Sequence, residues 1–417
     1  PLFLFNLNKY HMLFKKSTLF ALIVSTSFFV SCSDDDQPID EPTFNYTTPE
    51  TYTFERNGVS TVDYSGQKSR ILMLDEMGNY IKNQAASGNI VDDNLLSQMY
   101  VNTNNSFANA DLNSSGKQLS NKTAASYDYF TLFQGGGSTA EQLATRVSFQ
   151  STFIDANAAS KGNTAAAGVA GYYIDGSSKR LFAANGLEPQ QVFLKGMMGA
   201  CLLDQVVNNY ISVAKLDAGA NTENNTNKVL EANQTYTTME HAWDEAYGYI
   251  YGADVITETS ASYKYWSSYI NQVNADTDFN TVKQNIDLAF RKGRAAILAN
   301  DYKTRDAQAN IIKENIALVP AVRAVYYLQE GKAKLTTDGG AKAFHALSEA
   351  YGFIIALRYT NKPGTNNPYF SKNEVETMLA TLTSGTNGLW DIDNLSPKLD
   401  AISTQIATKF GFTVDQA

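Results

Sequence analysis

Two segments of the chain carry the residues best suited to chemistry, and they share one pattern. We call them the first motif, His241–Ile250, and the second motif, His345–Ile354, and both read His-Ala-x-x-Glu-Ala-Tyr-Gly-x-Ile. In a helix, a histidine and a glutamate four residues apart lie on one face, with their Cβ atoms about 6 Å apart. Such a pair can join imidazole to carboxylate by a hydrogen bond, or it can hold a cation such as iron or zinc.

Two interpretations of the motifs stay open at this level. In the first, the two pairs are structural hydrogen bonds at the faces where helices pack. In the second, both motif helices face one cleft and share an iron or zinc ion, as facing helices of a bundle can. The candidate metal ligands are His241, Asp244, Glu245, His345 and Glu349.

The sequence gives little support for catalysis. The zincin pattern His-Glu-x-x-His and the Gly-x-Ser-x-Gly pattern of serine hydrolases are absent from the sequence. The remaining histidine, His11, precedes the predicted mature protein. Binding without catalysis is therefore the favoured prediction for the motifs.

Helices must position these residues, because apolar side chains recur three and four residues apart from Gln67 onward. Thr237 and Glu240 have the spacing of a capping box that begins the helix of the first motif. Pro189 suits the first turn of another helix, whereas Pro320 lies inside a helical pattern and should kink or split it. Helix signals of this kind fill the chain between Asn-rich breaks and predict an all-α fold.

The repeated motif predicts how the helices are arranged. Sequential helices joined by short breaks pack as antiparallel neighbours. We therefore predict two antiparallel four-helix-type bundles related by duplication, within residues 51–417, at about 51–255 and 256–417. The alternative is one packing geometry that arose twice. A short extended segment at Tyr52–Gly66, rich in Val, Thr and aromatic residues, precedes the helices.

The first 50 residues resemble a targeting segment. Two lysines precede a short apolar run that ends at Cys32, which is typical of a lipoprotein signal peptide. We interpret residues 1–31 as upstream read-through and this signal, Cys32 as the lipidated residue, and residues 32–50 as that cysteine and a flexible tether to the outer membrane. The acidic run after Cys32 favours display on the cell surface, with a periplasm-facing position as the alternative.

Composition argues against nucleic acid as a partner. The net charge is −9 and the isoelectric point is near 5.0, and the sequence has no large basic cluster. Arg291, Lys292 and Arg294 form a small basic turn, which we interpret as a solvated face. Cys201 lies in an apolar run, and with Cys32 lipidated it has no disulfide partner, so we predict that it is a core residue.

Four segments together carry a family resemblance. They are TYTFERNGVSTVDYSGQKSRILMLDEM, QQVFLKGMMGACLLDQVVNNYI, WDEAYGYIYG and AFRKGRAAILANDY. Their order and spacing resemble a family of uncharacterised Bacteroidota surface lipoproteins that is similar to the imelysin-like proteins. The resemblance implies a duplicated pair of four-helix bundles and a link to iron uptake at the envelope. It also implies an envelope transporter or another imelysin-like protein as a partner.

The motif of the imelysins, Gly-x-His-x-x-Glu, is altered in both copies. Met239 and Asp244 occupy its glycine and glutamate positions in the first motif, and Ala343 and Ser348 occupy them in the second. We therefore predict a non-catalytic envelope lipoprotein that binds a metal ion or an iron-containing ligand and helps iron acquisition at the cell surface. The alternatives are an imelysin-type metallopeptidase and a glycan-binding lipoprotein, for which the 24 tyrosines would be suitable.

Overall fold

The periodic apolar residues form helices through most of the chain, so the predicted helical class is confirmed. The structure, a computed structural model, describes residues 43–133, 139–365 and 367–417. The predicted signal peptide, Cys32 and the first part of the tether lie outside these residues. No helix in the described ranges combines the length and the apolar character that a membrane span needs.

Eight helices lead up to and include the first motif. They are α1 (Ser65–Ser87), α2 (Asp93–Val101), α3 (Ala110–Ser114), α4 (Thr139–Ala159), α5 (Pro189–Met197), α6 (Val213–Leu216), α7 (Asn221–Thr226) and α8 (Thr238–Tyr251). The capping box predicted at Thr237 and Glu240 is present at the start of α8, and Pro189 is in the first turn of α5.

Six helices follow, and the second motif lies on α12. They are α9 (Trp266–Asn274), α10 (Val282–Ala299), α11 (Tyr302–Lys334), α12 (Phe344–Leu357), α13 (Lys372–Leu382) and α14 (Leu395–Phe410). Helix α11 is not split at Pro320, because the buried neighbours Val319 and Ala321 hold both sides of the proline in the core.

Short 3₁₀ and π-helical stretches connect these helices. The 3₁₀ turns are Ser120–Lys122, Asp338–Ala343, Gly388–Trp390, Ile392–Asn394 and Val414–Gln416, and the π-helical stretches are Tyr127–Phe133, Met198–Leu203 and Val206–Tyr210. The last two continue α5 as a buried helix to Tyr210. Cys201 lies in this continuation and is fully buried, as predicted, and burial raises the pKa of its thiol to about 12.

The strands form three antiparallel hairpins among the described residues. They are β1 (Glu55–Arg56) with β2 (Val59–Ser60), β3 (Gly171–Asp175) with β4 (Ser178–Phe182), and β5 (Val255–Ile256) with β6 (Ala261–Ser262). The first lies in the segment predicted to be extended. The other two were not predicted, because each is too short to show a clear alternating pattern.

Residues from Phe44 to Ala417 form one compact unit with a continuous hydrophobic core. Within it, α8 packs against α1 and α10, whereas α12 packs against α5 and α11. The end of the predicted tether is bound to this unit: the Tyr46 hydroxyl donates to Asp301 at 3.0 Å, and Arg291 donates to the Pro49 carbonyl at 2.6 Å.

Candidate functional site

The first-motif histidine lies on the partly exposed side of α8. The His241 ring stacks on Tyr236 with 4.4 Å between the ring centroids, and its Nε2 lies 4.0 Å from Glu245 Oε1. Glu245 also accepts a hydrogen bond of 2.7 Å from the Gln67 side chain of α1. The Nδ1 atom of His241 is buried and has no hydrogen-bond partner among the described residues.

Asp244 lies in the protein interior, whereas His241 is on the partly exposed side of α8. It is fully buried and accepts hydrogen bonds from Arg294 Nε at 2.9 Å and from the Tyr52 hydroxyl at 2.6 Å. Arg294 is fully buried as well, so its interpretation as part of a solvated basic turn was wrong. A further buried carboxylate, Glu240, lies 3.7 Å from Arg294 Nη1 and 2.8 Å from Arg56 Nη2. Sequence reasoning assigned Glu240 only to the helix cap.

The second-motif histidine has different neighbours. His345 Nδ1 lies 2.6 Å from Glu188 Oε2 and 2.8 Å from Arg180 Nη1. On the other side of the ring, Nε2 lies 3.7 Å from Glu349 Oε2. Glu349 is also paired with Lys195 on α5, at 3.3 Å. Both nitrogens of this imidazole therefore face carboxylates that already have a cationic neighbour.

These surroundings do not fit one metal ion shared by both motifs. The histidines lie on helices with different neighbours, and Asp244 and Glu349 are already paired with Arg294 and Lys195. No group of three or more His, Cys, Asp or Glu side chains is placed to hold a metal ion in the part of the chain that the structure describes. Metal binding by the five residues stays a prediction.

The apolar contacts of the two motifs do correspond. At Gly248 a Cβ atom would lie 2.2 Å from Tyr64 Cβ, just before α1, and at Gly352 it would lie 2.3 Å from Lys195 Cβ on α5. Each glycine thus lets a crossing segment approach the motif helix more closely than any side chain would allow. The crossing helix also supplies the polar partner of the motif glutamate, Gln67 in one case and Lys195 in the other.

A second contact is also repeated, between each motif helix and a further neighbouring helix: α10 beside α8, and α11 beside α12. Trp243 of the first motif lies against Gly293 of α10, where an added Cβ would be 2.1 Å from the indole. Leu347, at the same position of the second motif, lies against Gly331 of α11, where an added Cβ would be 2.4 Å from the leucine. Both motif helices are therefore held between two neighbours by the same two kinds of glycine contact.

A cavity of about 540 Å³ opens beside Tyr247 of the first motif. We call it the tyrosine cleft, because its walls include the five tyrosines Tyr52, Tyr64, Tyr247, Tyr251 and Tyr263. The rings of Tyr52 and Tyr247 are stacked with 3.7 Å between their centroids, and Tyr251 lies 4.9 Å from Tyr247. These tyrosines are far apart in the sequence, so no local pattern indicated that they would lie together.

Polar groups line the same cavity. Asp254 accepts a hydrogen bond of 2.5 Å from the Ser267 hydroxyl, and Asp287 accepts one from the Tyr251 hydroxyl. Burial raises the pKa of both carboxyls above the ordinary value. Lys283 donates to Asn271 at 2.7 Å on the same wall. With Glu50 and Arg291, the cleft therefore presents aromatic faces, three carboxyls, an amide, an ammonium group and a guanidinium group to one cavity.

Two chain segments complete the cleft. We call residues 49–61 the strap, because this segment runs from the tether across α8 and α10 and contributes Tyr52 to the cleft wall. The β5–β6 hairpin contributes Ile256, whose side chain is 68% exposed, and Tyr263. An exposed isoleucine beside an aromatic cavity adds apolar surface where a ligand would enter.

One comparison with known proteins identifies the family. Residues 49–413 match the family model described as Domain of unknown function (DUF4856). No curated protein and no solved structure gave a significant match. The match begins at the strap and covers the tyrosine cleft and both motifs, so the chain belongs to the DUF4856 family.

Proposed function

We propose that the chain is a binding protein that holds a carbohydrate in the tyrosine cleft. The observation that carries this proposal is the convergence of five tyrosines, three carboxyls and an amide on one cavity of about 540 Å³. Cavities of a few hundred Å³ that combine aromatic walls with a few placed polar groups are typical of small-ligand sites. The described residues offer this combination at the cleft and not at the two histidines.

The chemistry of the cleft matches that of a sugar. A sugar ring has an apolar face of C–H bonds, which can lie against an aromatic ring, and a rim of hydroxyl groups. Asp254, Asp287 and Asn271 can accept hydrogen bonds from that rim, and Lys283 and Arg291 can donate to it. A purely apolar ligand would keep water from the remaining donors and acceptors of these groups without replacing its hydrogen bonds, at a cost in binding free energy.

The proposal places this cleft outside the cytoplasm on a membrane-tethered protein. It is supported by the lipoprotein-type signal that ends at Cys32 and by the strap, which is continuous in sequence with the predicted tether. Arg291 and Tyr52 fix the strap to the cleft, so the described end of the predicted tether lies beside the ligand site. A glycan-binding lipoprotein at the cell surface follows from these features together.

An oligosaccharide array followed by isothermal titration calorimetry with the best binding sugar tests the proposal. We expect Tyr263→Ala and Asp287→Asn to weaken binding at least about tenfold each, which corresponds to about 1.4 kcal/mol. Tyr127→Ala is the matched control, since Tyr127 is exposed and does not line the cleft. Absence of binding to every sugar, or binding that Tyr263→Ala and Asp287→Asn leave unchanged, would refute the proposal.

A second candidate function is binding of an iron or zinc ion at the first motif, as the resemblance to imelysin-like proteins implies. The observation that favours it is His241 Nδ1, which is buried and has no hydrogen-bond partner among the described residues. Elemental analysis of purified protein, and titration with Zn²⁺ and Fe²⁺, would measure such binding. His241→Asn should abolish it, whereas His345→Asn, on a ring flanked by paired carboxylates, should not.

We also propose that the two motif helices are duplicated elements. The matched contacts of Gly248 with Gly352, and of Trp243 with Leu347, support this origin. The predicted boundary between the two repeats is near residue 255. The helix that crosses the second motif, α5, precedes this boundary, so each repeat would combine helices from both halves of the chain. Detection of the same glycine contacts in a family member with a single motif would support a duplication within this fold.

A further inference from the structure

A second cavity, of about 440 Å³, adjoins the tyrosine cleft. We call it the strap cavity, because its walls are residues 52–55 and Ser60 of the strap, together with residues 62–65 and Lys68, which lead into α1. Tyr52 and Tyr64 line both cavities. The two cavities are therefore neighbours that share an aromatic wall.

The shared wall is held in place by α8. The Tyr52 ring stacks on Tyr247, and its hydroxyl donates to the buried Asp244 at 2.6 Å. Tyr64 lies so close to the same helix that a Cβ atom at Gly248 would be 2.2 Å from its own Cβ. Because both tyrosines are fixed by these contacts, the two cavities keep a constant position relative to each other, and a ligand that occupies both finds them already formed.

The strap is also fixed on the far side of this wall. Phe54 is 5% exposed, and the guanidinium carbon of Arg294 lies 5.0 Å from the centroid of its ring. Arg56 Nη2 lies 2.8 Å from the buried carboxylate of Glu240. The backbone that forms the strap cavity is therefore anchored at successive residues.

The polar groups of the strap cavity have capacity for sugar hydroxyls. Asp63 accepts a hydrogen bond of 2.9 Å from the Ser65 amide, and a carboxylate has about four acceptor sites, so further donors can bind to it. The side chains of Glu55 and Lys68 are exposed and make no hydrogen bond or ion pair within the described ranges. The strap cavity thus repeats the combination found in the cleft, an aromatic wall beside carboxylates and an ammonium group.

We propose that the strap cavity is a second sugar subsite, so that the ligand of this protein is an oligosaccharide that extends from the tyrosine cleft past Tyr52 and Tyr64. This inference rests on the proposed function, because it concerns the same ligand. Each cavity has a volume within the range of about 300–1,000 Å³ that is typical of small-ligand sites. A sugar unit enters the second subsite as part of a ligand that is already bound, which raises affinity because association is not repeated.

Isothermal titration calorimetry with oligosaccharides of increasing length tests this inference. The probes are xylo-, manno- and cello-oligosaccharides, each from the monosaccharide to the hexasaccharide. In at least one series we expect the affinity to rise about tenfold or more as the chain becomes long enough to occupy both cavities.

Two variants separate the subsites. Glu55→Ala combined with Lys68→Ala changes only the strap cavity, so it should lower the affinity for the long oligosaccharides towards that for the short ones and leave the short ones unchanged. Tyr263→Ala changes only the cleft and should weaken binding at every length. The matched control is Lys161→Ala combined with Glu223→Ala, two exposed residues that line neither cavity.

The outcomes distinguish this inference from the proposed function. An affinity that does not depend on chain length, or a gain with length that the double variant at Glu55 and Lys68 retains, overturns the second subsite and leaves sugar binding in the cleft intact. Absence of binding in all three series overturns the inference as well. Only the further absence of any binder on the oligosaccharide array would refute the proposed function.

Discussion

The helices that carry the two motifs are held by the same apolar contacts but are surrounded by different charges. On both helices, a glycine admits a crossing segment and a large apolar side chain fits against a glycine of the next neighbour. In the first motif, Asp244 is buried against Arg294, whereas in the second motif Ser348 takes that position and accepts a hydrogen bond of 2.7 Å from the Glu188 backbone amide.

This difference separates packing from chemistry. At each glycine contact, the atoms of the two segments are closely packed and have no room to shift. A larger residue at one of these glycines therefore disturbs the packing of the two segments. The charged groups, in contrast, are not the same in the two motifs. The first motif has Asp244 paired with Arg294 where the second has the Ser348 hydroxyl, although both motif helices keep the same glycine contacts. The residues that follow Gly293 and Gly331 differ in the same way. Arg294, after Gly293, is buried, whereas Lys332, after Gly331, lies on the surface beside Asp400.

The largest expected effect comes from that pair of cations. Arg294→Leu should lower the free energy of unfolding by about 3–5 kcal/mol, because Asp244 and Glu240 would keep buried charges without this cation. Lys332→Leu, at the corresponding position after Gly331, should cost less than about 1 kcal/mol, since its pair with Asp400 is exposed. Urea unfolding of both variants measures the difference, and equal losses would break the comparison.

The crossing helices should differ in the effect of pH. Burial raises the pKa of Asp204, in the continuation of α5, to about 7 from 3.8, so its stabilising contribution is complete below pH 3.8 and is lost as pH rises through 7. Asp204→Asn should remove this loss and gain up to about 4 kcal/mol relative to wild type between pH 5 and pH 8.

The control for that experiment is Asp75→Asn on α1, a helix that buries no carboxylate on its described inner face. Urea unfolding as a function of pH should show a wild-type-like pH dependence for this control. A wild-type-like pH dependence in Asp204→Asn would instead mean that Asp204 ionises in the folded protein as freely as in the unfolded chain.

The two crossing glycines should be about equally sensitive. Gly248→Ala and Gly352→Ala should each destabilise by about 1–3 kcal/mol, because the added Cβ would lie 2.2 Å and 2.3 Å from an atom of the crossing segment. Ala144→Val, on the exposed side of α4, should change stability by no more than about 0.5 kcal/mol. Thermal and urea unfolding test this, and a tolerated alanine at one motif only would show that the two crossings differ.

The smallest effect is expected where the polar partners of the motif glutamates are exchanged. Lys195→Gln gives the second motif the kind of amide partner that Gln67 provides in the first, and it should cost about 1 kcal/mol, because Glu349 would keep a neutral donor. Its cost should change little with salt, because the lost ion pair is buried and weakly screened. Urea unfolding at low and high salt measures both quantities, and a loss that falls steeply with salt would mean that the pair is solvated.

Local signals predicted much of the helical structure. The capping box at Thr237 and the first-turn Pro189 lie where the structure begins helices. They could be predicted because each satisfies backbone groups within a few residues of itself. The β3–β4 and β5–β6 hairpins escaped prediction, since their strands of two to five residues depend on contacts with distant helices.

The candidate site was harder to predict. The motifs indicated that His241 and Glu245 share a helix face, and the structure confirms that they are neighbours. The sequence did not indicate that Arg294 would be buried, or that Tyr52 and Tyr263 would join Tyr247 around one cavity. A charge or a ring has no local signature of burial, because burial depends on which segments fold over it.

By itself, the sequence of this protein determined the helical class, several helix ends and the spacing of histidine and glutamate within each motif. These properties follow from hydrogen bonds and side-chain periodicity over a few turns of one helix. Only the tertiary structure decided that the two histidines have different neighbours and that tyrosines distant in sequence line one cleft. Those outcomes depend on close contacts between remote segments, such as the approach of α5 to Gly352, which no local pattern encodes.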